Sequence, residues 1–479
     1  MDVAPSEAWF GRRRPWLWLG ASGGACAALA LGAWWLVARS AHTAVETERA
    51  RIGAQVALSA GRTDVPAADA LAQWIEALEQ LPLDGYYETQ WPDDALETAT
   101  VPHRPIPGPG FVVHTSSALE ARFAMPAATP ADCSAASLED HPGGVEGWLA
   151  EHVGQPALEP QLGDCLRALL RERIGSAELH PHALAARRLP RADGAAWLAR
   201  MELTDQASPE PPLHAVPAVV RHLGVLAALA ALEHDARRAR EALDAAYTLC
   251  ESLAGLPWHA AYVTWVECEL MALHATVAVF AQAPEAIDEE RLVRHLEGLD
   301  AQGRHVAACE LQRTLCDRAY ARLLTGKPCG VDAFDLSPEV PGARVPWLER
   351  ERADALASWR RCAEWSREPL ATRGAPPLYE RHPLASDDHA TAWLAATRPV
   401  SNEVLARLEA FESMLRVALV ARRDGIDAAK PEAILRAASA GGRTIEVRAE
   451  PEWLLVEASP ALASFADPET LRIYLPLRK

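Results

Sequence analysis

The sequence has little lysine and no excess of positive charge. Lysine occurs only at Lys327, Lys430 and Lys479, so nearly all the positive charge is carried by arginine, and Schiff-base chemistry is not indicated. The formal net charge is −18, whereas a nucleic-acid-binding protein needs a basic face. The sequence therefore predicts no nucleic-acid partner.

The sequence also lacks the short motifs of several enzyme classes. It contains no HExxH, no GxxxxGK[ST], no GxGxxG and no CxxC, so no zinc protease, phosphate-binding loop or thioredoxin-like site is indicated. A GxSxG pattern occurs once, over 20–24. It lies in an apolar segment rather than between a strand and a helix, so we interpret it as chance. The sequence predicts no metal ion and no cofactor.

What is present indicates an ordered, mainly helical protein. Hydrophobic residues make up 49% of the chain, enough apolar surface to exclude general disorder. The 28 glycines and 36 prolines follow no fixed period, which excludes a collagen-like chain.

An apolar segment near the N-terminus is the clearest feature. Residues 15–38 carry no charge, and about 20 apolar residues suffice for a helix to cross the bilayer. Tryptophans stand near both ends, where indole rings favour the membrane interfaces: Trp16, Trp18, Trp34 and Trp35. We predict a transmembrane helix. A cleaved signal peptide is the alternative, disfavoured because the apolar run is long and the nearest cleavage candidate, after Ala44, is poor.

Three arginines directly precede the apolar segment, at Arg12, Arg13 and Arg14. Clustered arginine beside a membrane helix favours the cytoplasmic side. This predicts a single-pass protein of the inner (cytoplasmic) membrane whose C-terminal part is extracytoplasmic. Its predicted partners are the lipid bilayer, through this one helix, and another protein.

Cysteine usage is compatible with an oxidising compartment. Eight cysteines lie outside the apolar segment, which predicts disulfides of unspecified pairing: Cys133, Cys165, Cys250, Cys268, Cys309, Cys316, Cys329 and Cys362. Cys309 and Cys316 are too far apart along one predicted helix to bridge each other. The alternative is that these side chains are small buried hydrophobes.

Composition and periodicity predict a sequence of segments. They are a cytoplasmic tail (1–14), the transmembrane helix (15–38), juxtamembrane helices (39–81), a proline-rich linker (82–144), a helical-hairpin domain (145–326), a proline-interrupted helical region (327–400) and a long helix with a small β-meander (401–479). Helices are predicted over 218–233, 236–253, 258–281, 289–299, 306–324 and 347–367, and a loop-rich stretch is predicted over 180–217. The predicted breaks lie at Asp235, at 255–257, at Pro284 and at Gly303. Short breaks between long helices predict antiparallel neighbours. The hairpins are similar to tetratricopeptide (TPR) repeats, although the consensus positions do not recur at about 34 residues.

The last segment changes from helical to alternating periodicity. Helices are expected over 402–423 and 432–440, with Pro431 in a first turn. Alternation over 444–448 and 471–475, with a short apolar run at 453–456, predicts a small antiparallel meander covered by the long helix. The predicted fold class is therefore mainly α, with a small C-terminal α+β part.

The order of these segments resembles uncharacterised single-pass envelope proteins of bacteria such as planctomycetes. The resemblance covers residues 215–479 and is carried by the helical-hairpin region that begins HLGVLAALAALEHDARRAREALDAAYTLC, the late helix and the β finish. In such proteins the last part often resembles a pseudopilin-like helix and sheet. The resemblance implies an envelope location and no particular activity.

Three weak polar clusters remain, at 139–141, at 180–182 and at 387–389. Asp388 and His389 suit acid–base chemistry, but Ser386 and the two aspartates equally suit a helix N-terminus. His180 and His182 provide too few ligands for a metal site. The tryptophans of the helical region are interpreted as core residues.

We therefore expect a membrane-anchored, non-catalytic interaction or scaffold protein. The alternatives are an extracytoplasmic hydrolase with an unrecognised site and a secretion-apparatus component of pseudopilin type.

Overall fold

The protein is mainly helical and has a small C-terminal sheet in the computed structural model. The structure describes residues 14–51, 153–154, 160–173, 179–189, 216–256, 259–325, 345–370, 373, 402–437, 443–460 and 471–476.

The N-terminal helix α1 runs without interruption over Arg14–Arg51. Its 38 residues span about 57 Å at 1.5 Å per residue. The predicted transmembrane helix and the start of the predicted juxtamembrane helix are therefore one continuous rod. No proline follows Pro15 within this range, so nothing in the sequence breaks the helix at Ala38.

Short helices precede the main body. Helix α2 covers Pro160–Arg173 and α3 covers Leu179–Leu184, followed by a 3₁₀ turn over Ala185–Arg188. The sequence predicted a loop-rich region from His180 onward, and its first residues are helical instead. Burial of Ala183 and Ala186 against the main core stabilises this turn.

Three consecutive helices form the centre of the body: α4 (Val216–Leu232), α5 (Ala236–Ala254) and α6 (His259–Gln282). Both α5 and α6 pack against α4, which is buried nearly all round. Helix α6 is long and apolar enough to cross a membrane, but 78% of its most apolar window is buried inside the protein. It is therefore a core helix of the body.

Capping residues explain where the next helices begin. Asp235 accepts a hydrogen bond from the backbone N–H of Arg238 at 3.0 Å and caps α5. Asp288 caps α7 (Glu289–Glu297) in the same way through Arg291. A side-chain oxygen that satisfies a free N–H at a helix start is favoured energetically. The predicted breaks at Asp235 and Pro284 are confirmed.

Helices α8 (Ala301–Leu324) and α9 (Val345–Arg367) form a closely packed pair. Helix α1 packs on α9. The residue ranges agree with the predicted helices at 306–324 and 347–367, apart from an earlier start of each.

The C-terminal part contains α10 (Asn402–Asp424), α11 (Ile426–Ala437) and the strands β1 (Arg443–Ala449), β2 (Trp453–Pro460) and β3 (Leu471–Pro476). The strands form an antiparallel meander in the order β1-β2-β3. Val456 lies opposite Val447 and Ile473. The predicted meander is confirmed.

The sheet shares one hydrophobic core with the helical body. Helix α10 packs on β2 and β3 as predicted, while α11 packs on β1 and α6 on β3. Buried Val456 and Ile473 belong to the same cluster as Phe280 of α6. The meander is thereby fixed to the central helices.

One predicted helix start is wrong. The sequence placed Pro431 in a first turn, whereas α11 begins at Ile426 and contains Pro431 in its interior. Gly425 has φ 93°, a left-handed conformation that glycine adopts readily and that ends α10. The new helix starts immediately after this glycine. The tetratricopeptide-like character of the hairpins is not confirmed.

Candidate functional site

The first half of α1 presents apolar side chains to its surroundings. Leu29, Leu31 and Leu36 are 74%, 68% and 62% exposed, and Trp34 and Trp35 are 40% and 53% exposed. A contiguous exposed apolar stretch on a protein indicates a surface that contacts a membrane or an apolar face of a partner. The helix fits a transmembrane helix or a signal helix by length and composition.

The second half of α1 is docked onto the body. Ala41 and Val45 are buried, at 0% and 2% exposure, and α1 packs closely on α9. Because a helix repeats every 3.6 residues, positions 41, 45 and 48 share one face. The same helix thus changes from an exposed apolar rod to a packed element.

A buried carboxylate at Glu48 joins the docked half of α1 to two helices of the body. Arg313 of α8 donates from Nη2 to Glu48 Oε2 at 3.1 Å and to the Glu48 carbonyl at 2.7 Å. Arg360 of α9 donates from Nε to the same Oε2 at 3.1 Å. The Arg313 side chain is 2% exposed, and Glu310 is a second, longer carboxylate contact at 3.5 Å.

A second carboxylate, Asp317, repeats the arrangement one turn further along α8. Arg49 of α1 donates from Nε to both oxygens of Asp317 at 3.2 Å. Arg352 of α9 donates from Nε to Oδ1 at 2.7 Å. We call these contacts and those of Glu48 the anchor-docking network. It ties α1, α8 and α9 together by charge as well as by packing.

A groove runs between α1 and α9 beside this network. It has a volume of about 700 Å³ and is lined by residues of α1 from Leu36 to Glu48 and by residues of α9 from Arg350 to Arg361. Arg39, Arg350 and Arg361 line it together with Asp354. The groove begins where the exposed apolar stretch of α1 ends.

A buried ionic chain lies in the central helices, around His295 of α7. His295 Nε2 is 2.8 Å from Glu269 Oε2, and Nδ1 is 3.2 Å from Glu251 Oε1. Burial lowers the pKa of His295, but the two carboxylates outweigh burial and raise it to about 9. Trp265 donates to Glu269 at 2.8 Å. This chain clamps α5, α6 and α7 and has no substrate-sized opening beside it among the described residues.

A second buried polar group lies between α8 and α9. His305 and Cys309 are one turn apart on α8, and Cys362 and Ser366 are one turn apart on α9. The Cys309 and Cys362 sulfurs are 3.3 Å apart, and Cys362 Sγ is 4.0 Å from His305 Nε2. Donor atoms of His305, Cys309 and Cys362 all lie within 4.8 Å of one another. We call these three residues the His–Cys cluster.

Burial sets the protonation of this cluster. It lowers the pKa of His305 to about 3, with smaller contributions from His259 and Arg373. Burial, together with the neighbouring Cys362, raises the pKa of the Cys309 thiol well above its usual range. In this closed environment the imidazole is neutral and Cys309 is a thiol.

The structure describes some of the predicted membrane-anchor residues and not others. Arg12 and Arg13 lie outside the described residues, and Arg14 begins α1. Trp16 and Trp18 lie on α1, but their side chains are outside the described part. The exposure of Trp34 and Trp35 is consistent with the predicted interface.

The cysteines form no disulfide among those that the structure describes. Each of the described cysteines of the body is buried and is not disulfide-bonded, as the alternative interpretation expected: Cys250, Cys268, Cys309, Cys316 and Cys362. Cys133 and Cys329 lie outside the described residues, as does the side chain of Cys165. Cys309 and Cys316 do not bridge each other, in agreement with their spacing, and the neighbour of Cys309 is Cys362.

The weak polar clusters contribute little to a site. Residues 139–141 and 387–389 lie outside the described residues. His180 Nδ1 is 3.0 Å from Arg238 Nη2, and its ring lies 5.2 Å from that of His222. Trp265, Trp359 and Trp365 are buried, which confirms the core interpretation for these three tryptophans.

Sequence reasoning missed the His–Cys cluster and the anchor-docking network. His305 and Cys309 are four residues apart, a spacing that places both side chains on one face of a helix. This signal was missed because the predicted helix began at residue 306, whereas α8 begins at Ala301. Cys362 is 53 positions from Cys309, and no short motif connects them.

Comparison of the chain with protein-family models, with curated proteins and with solved structures finds no match.

Proposed function

We propose that this protein is a non-catalytic interaction or scaffold protein of the bacterial envelope, held at the membrane by α1. The proposal rests on the change from exposed apolar side chains to packed side chains along the unbroken helix α1. Its apolar first half is exposed, and its second half is built into the body through Glu48 and Asp317. A rigid connection of this kind holds the body at a set distance from the bilayer.

The docked half of α1 supports a retained anchor over a cleaved signal peptide. The best cleavage candidate in the sequence follows Ala44, and Ala41 and Val45 on either side of it are buried. Cleavage there would remove Ala41 and the preceding turns from the face of α1 that packs on the body. A retained anchor requires that the buried face around Ala41 and Val45 stay attached to the body.

The arginines around α1 support the orientation of the protein. Arg12, Arg13 and Arg14 precede the apolar stretch and favour the cytoplasmic side for the N-terminus. Arg39 and Arg361 line the groove at the other end of that stretch, where lipid phosphate groups lie. The helical body then lies outside the cytoplasm.

The buried acid–base groups support a structural role for the described body. A general acid or base must reach a substrate, whereas His295 and His305 are buried between helices, at 4% and 0% exposure. Their partners come from neighbouring helices, as expected of groups that fix helix packing. The hydrolase alternative depends on Asp388 and His389, which the structure does not describe.

A secretion-apparatus component is the second candidate. The packing of α10 on β2 and β3 is the arrangement that a pilin-like helix-and-sheet unit has. The additional packing of α6 on β3 favours the scaffold over this candidate, because it makes the sheet part of the larger body.

The proposal is tested on the protein in native membranes. We expect the polypeptide to keep its N-terminus, to resist alkaline carbonate extraction, and to be digested by protease added to the outside of spheroplasts. A chain that begins after residue 44, or one that is protected in intact spheroplasts, would overturn the anchor or the orientation.

A further crosslinking experiment tests the scaffold role. A photocrosslinker placed at Arg361 in the groove is expected to join the protein to one defined partner, and a crosslinker at exposed Glu450 is the control position. Crosslinking to lipid alone at Arg361 and to nothing along the rest of the body would contradict an interaction role.

A further inference from the structure

Four side chains from two helices meet at one level of the α8–α9 pair. The four-residue spacing of His305 and Cys309 puts both on the α9-facing side of α8, and the same spacing puts Cys362 and Ser366 on the α8-facing side of α9. The Cys309 and Cys362 sulfurs are 3.3 Å apart and Cys362 Sγ is 4.0 Å from His305 Nε2. All three residues of the His–Cys cluster are buried.

Hydrogen bonds at Ser366 determine which nitrogen of His305 carries the proton. The Ser366 hydroxyl donates to the carbonyl of Cys362 at 2.7 Å, so its only hydrogen is used. Its oxygen lies 2.8 Å from His305 Nδ1 and must therefore accept from Nδ1–H. The lone pair of neutral His305 is left on Nε2, the nitrogen nearer to the Cys362 sulfur.

A metal-binding histidine has this arrangement, since its second ring nitrogen donates to a fixed oxygen and its first coordinates the ion. Here the orienting oxygen is supplied by the same helix that supplies Cys362. The two thiols and Nε2 form a set of ligands that suits thiophilic, closed-shell ions such as Zn²⁺ and Cu⁺.

The distances favour a metal over a disulfide. Two Zn–S bonds of about 2.3 Å at a tetrahedral angle place the sulfurs about 3.8 Å apart, so the observed 3.3 Å has to lengthen by about 0.5 Å. A disulfide of about 2.05 Å requires the sulfurs to approach by more than about 1 Å. A disulfide would also leave Nε2 of His305 facing a sulfur with no hydrogen to donate.

We propose that His305, Cys309 and Cys362 bind one thiophilic metal ion, Zn²⁺ or Cu⁺, between α8 and α9.

Two further buried polar groups lie on rings next to His305. His259 Nε2 and the Tyr262 hydroxyl are buried and have no hydrogen-bond partner among the described residues. The Tyr262 ring is stacked on His305 at 4.7 Å, and the His259 ring lies 5.7 Å from that of His305. Buried polar atoms rarely go without partners. The ligand set shown by the structure is therefore His305, Cys309 and Cys362, and the fourth position that Zn²⁺ prefers is left to another donor.

The ion would link α8 and α9, the two helices whose side chains bind Glu48 of α1. Arg313, which binds Glu48, lies one turn beyond Cys309 on α8, and Arg360 lies two residues before Cys362 on α9. The metal therefore has a structural role in this inference, which does not depend on where the protein is located.

The test uses the full chain in detergent, reduced and freed of metal. Titration with Co²⁺, a spectroscopic substitute for Zn²⁺, is expected to give one equivalent of binding with a thiolate-to-cobalt charge-transfer band that Zn²⁺ abolishes. A parallel titration with Cu⁺ against a competing chelator distinguishes the two ions. Binding of either ion at one equivalent supports the proposal.

Variants locate the ion. Cys362→Ser and His305→Gln are expected to weaken binding at least about 100-fold, whereas Cys268→Ser, which removes a buried thiol of α6 outside the cluster, leaves binding unchanged. Ser366→Ala keeps all three ligands and loses only the oxygen that orients His305, so its affinity should fall about 10-fold. This last variant remains informative where a ligand variant fails to fold.

The proposal is overturned if neither ion binds to the reduced protein, or if Cys362→Ser binds as the unaltered chain does. It is also overturned if peptide mapping of protein isolated from membranes, with free thiols blocked, recovers Cys309 and Cys362 as a disulfide.

Discussion

Several buried charges among the described residues are paired with charges from other helices. Glu48 is the clearest case, because one carboxylate accepts hydrogen bonds from Arg313 and Arg360 on two different helices. Removing one partner of a buried pair is costly because the remaining charge stays buried without compensation. The affected guanidinium would be that of Arg313, whose side chain is 2% exposed and would keep only the longer contact with Glu310, at 3.5 Å, among the carboxylates of the described residues.

Glu48→Gln is therefore expected to lower the free energy of unfolding by about 3 kcal/mol, measured by chemical denaturation in detergent. Glu46→Gln is the matched control on the same helix. The Glu46 side chain is 54% exposed and pairs with Arg49, so its loss should cost less than about 1 kcal/mol. Equal effects of the two substitutions would contradict the assigned role of Glu48.

His295 should make stability depend on alkaline pH. Its pKa is raised to about 9 by Glu269 and Glu251 despite its burial, against a value of about 6.5 in the unfolded chain. The folded state binds the proton more tightly, so this contribution is complete below about pH 6.5 and is lost as the pH rises through 9. The other charged group at this point is Arg291, which binds Glu251 and stays charged in this range.

We expect the free energy of unfolding to fall by about 3 kcal/mol between pH 6.5 and pH 9.5, followed by chemical denaturation across that range. In His295→Gln this slope should disappear, while the protein is less stable at pH 6.5. An unchanged slope in the variant would show that another group titrates.

Under the proposed function, the two halves of α1 have separate roles although they belong to one helix. The first half is defined by exposed apolar side chains and the second by packing and ion pairs with α8 and α9. Substitutions in the two halves should accordingly affect different properties, membrane attachment in the first and stability of the body in the second.

Charged substitutions in the first half should release the protein from the membrane. Leu29→Asp with Leu31→Asp places two carboxylates in the apolar stretch, at a cost of about 2.5 to 3.5 kcal/mol each near a bilayer centre. The measurement is the fraction that remains in membranes after carbonate extraction.

The matched control is Ile434→Asp with Leu435→Asp on α11. These side chains are 75% and 68% exposed, close to the values for Leu29 and Leu31, but lie on the body. The control should stay in the membrane fraction, and its release to the same extent as the α1 variant would show that general destabilisation is responsible.

For the molecule as a whole, the position of the anchor-docking network predicts where the chain can be shortened. Removal of residues 1–38 deletes the apolar stretch and leaves Ala41, Val45 and Glu48 in place. Removal of residues 1–51 deletes the docked half as well and leaves Arg313 buried without Glu48.

We expect the chain that starts at residue 39 to be soluble without detergent and to unfold at a temperature close to that of the full chain. The chain that starts at residue 52 should unfold at a clearly lower temperature or aggregate. Similar melting curves for the two, measured by circular dichroism, would contradict the role assigned to the docked half of α1.

Local patterns were sufficient for much of the fold. Periodicity predicted α4 to α10 within a few residues, since these helices bury one face or all faces and carry their own caps, as at Asp235 and Asp288. Alternation predicted β1 and β3, and a short apolar run predicted β2. The start of α11 was missed because Pro431 was taken as a first-turn residue, whereas Gly425 sets the boundary.

The acidic net charge depends only on composition. The amino-acid order was also enough to find the apolar stretch of α1 and the main helices, because both depend on residues that are close together in the sequence. The docking of Glu48 on Arg313 and Arg360, the clamp around His295 and the meeting of Cys309 with Cys362 join residues 26 to 312 positions apart. Contacts at such separations depend on how whole helices pack. One helix face can pack against many partners, and the three-dimensional arrangement of all the helices decides which partner it has.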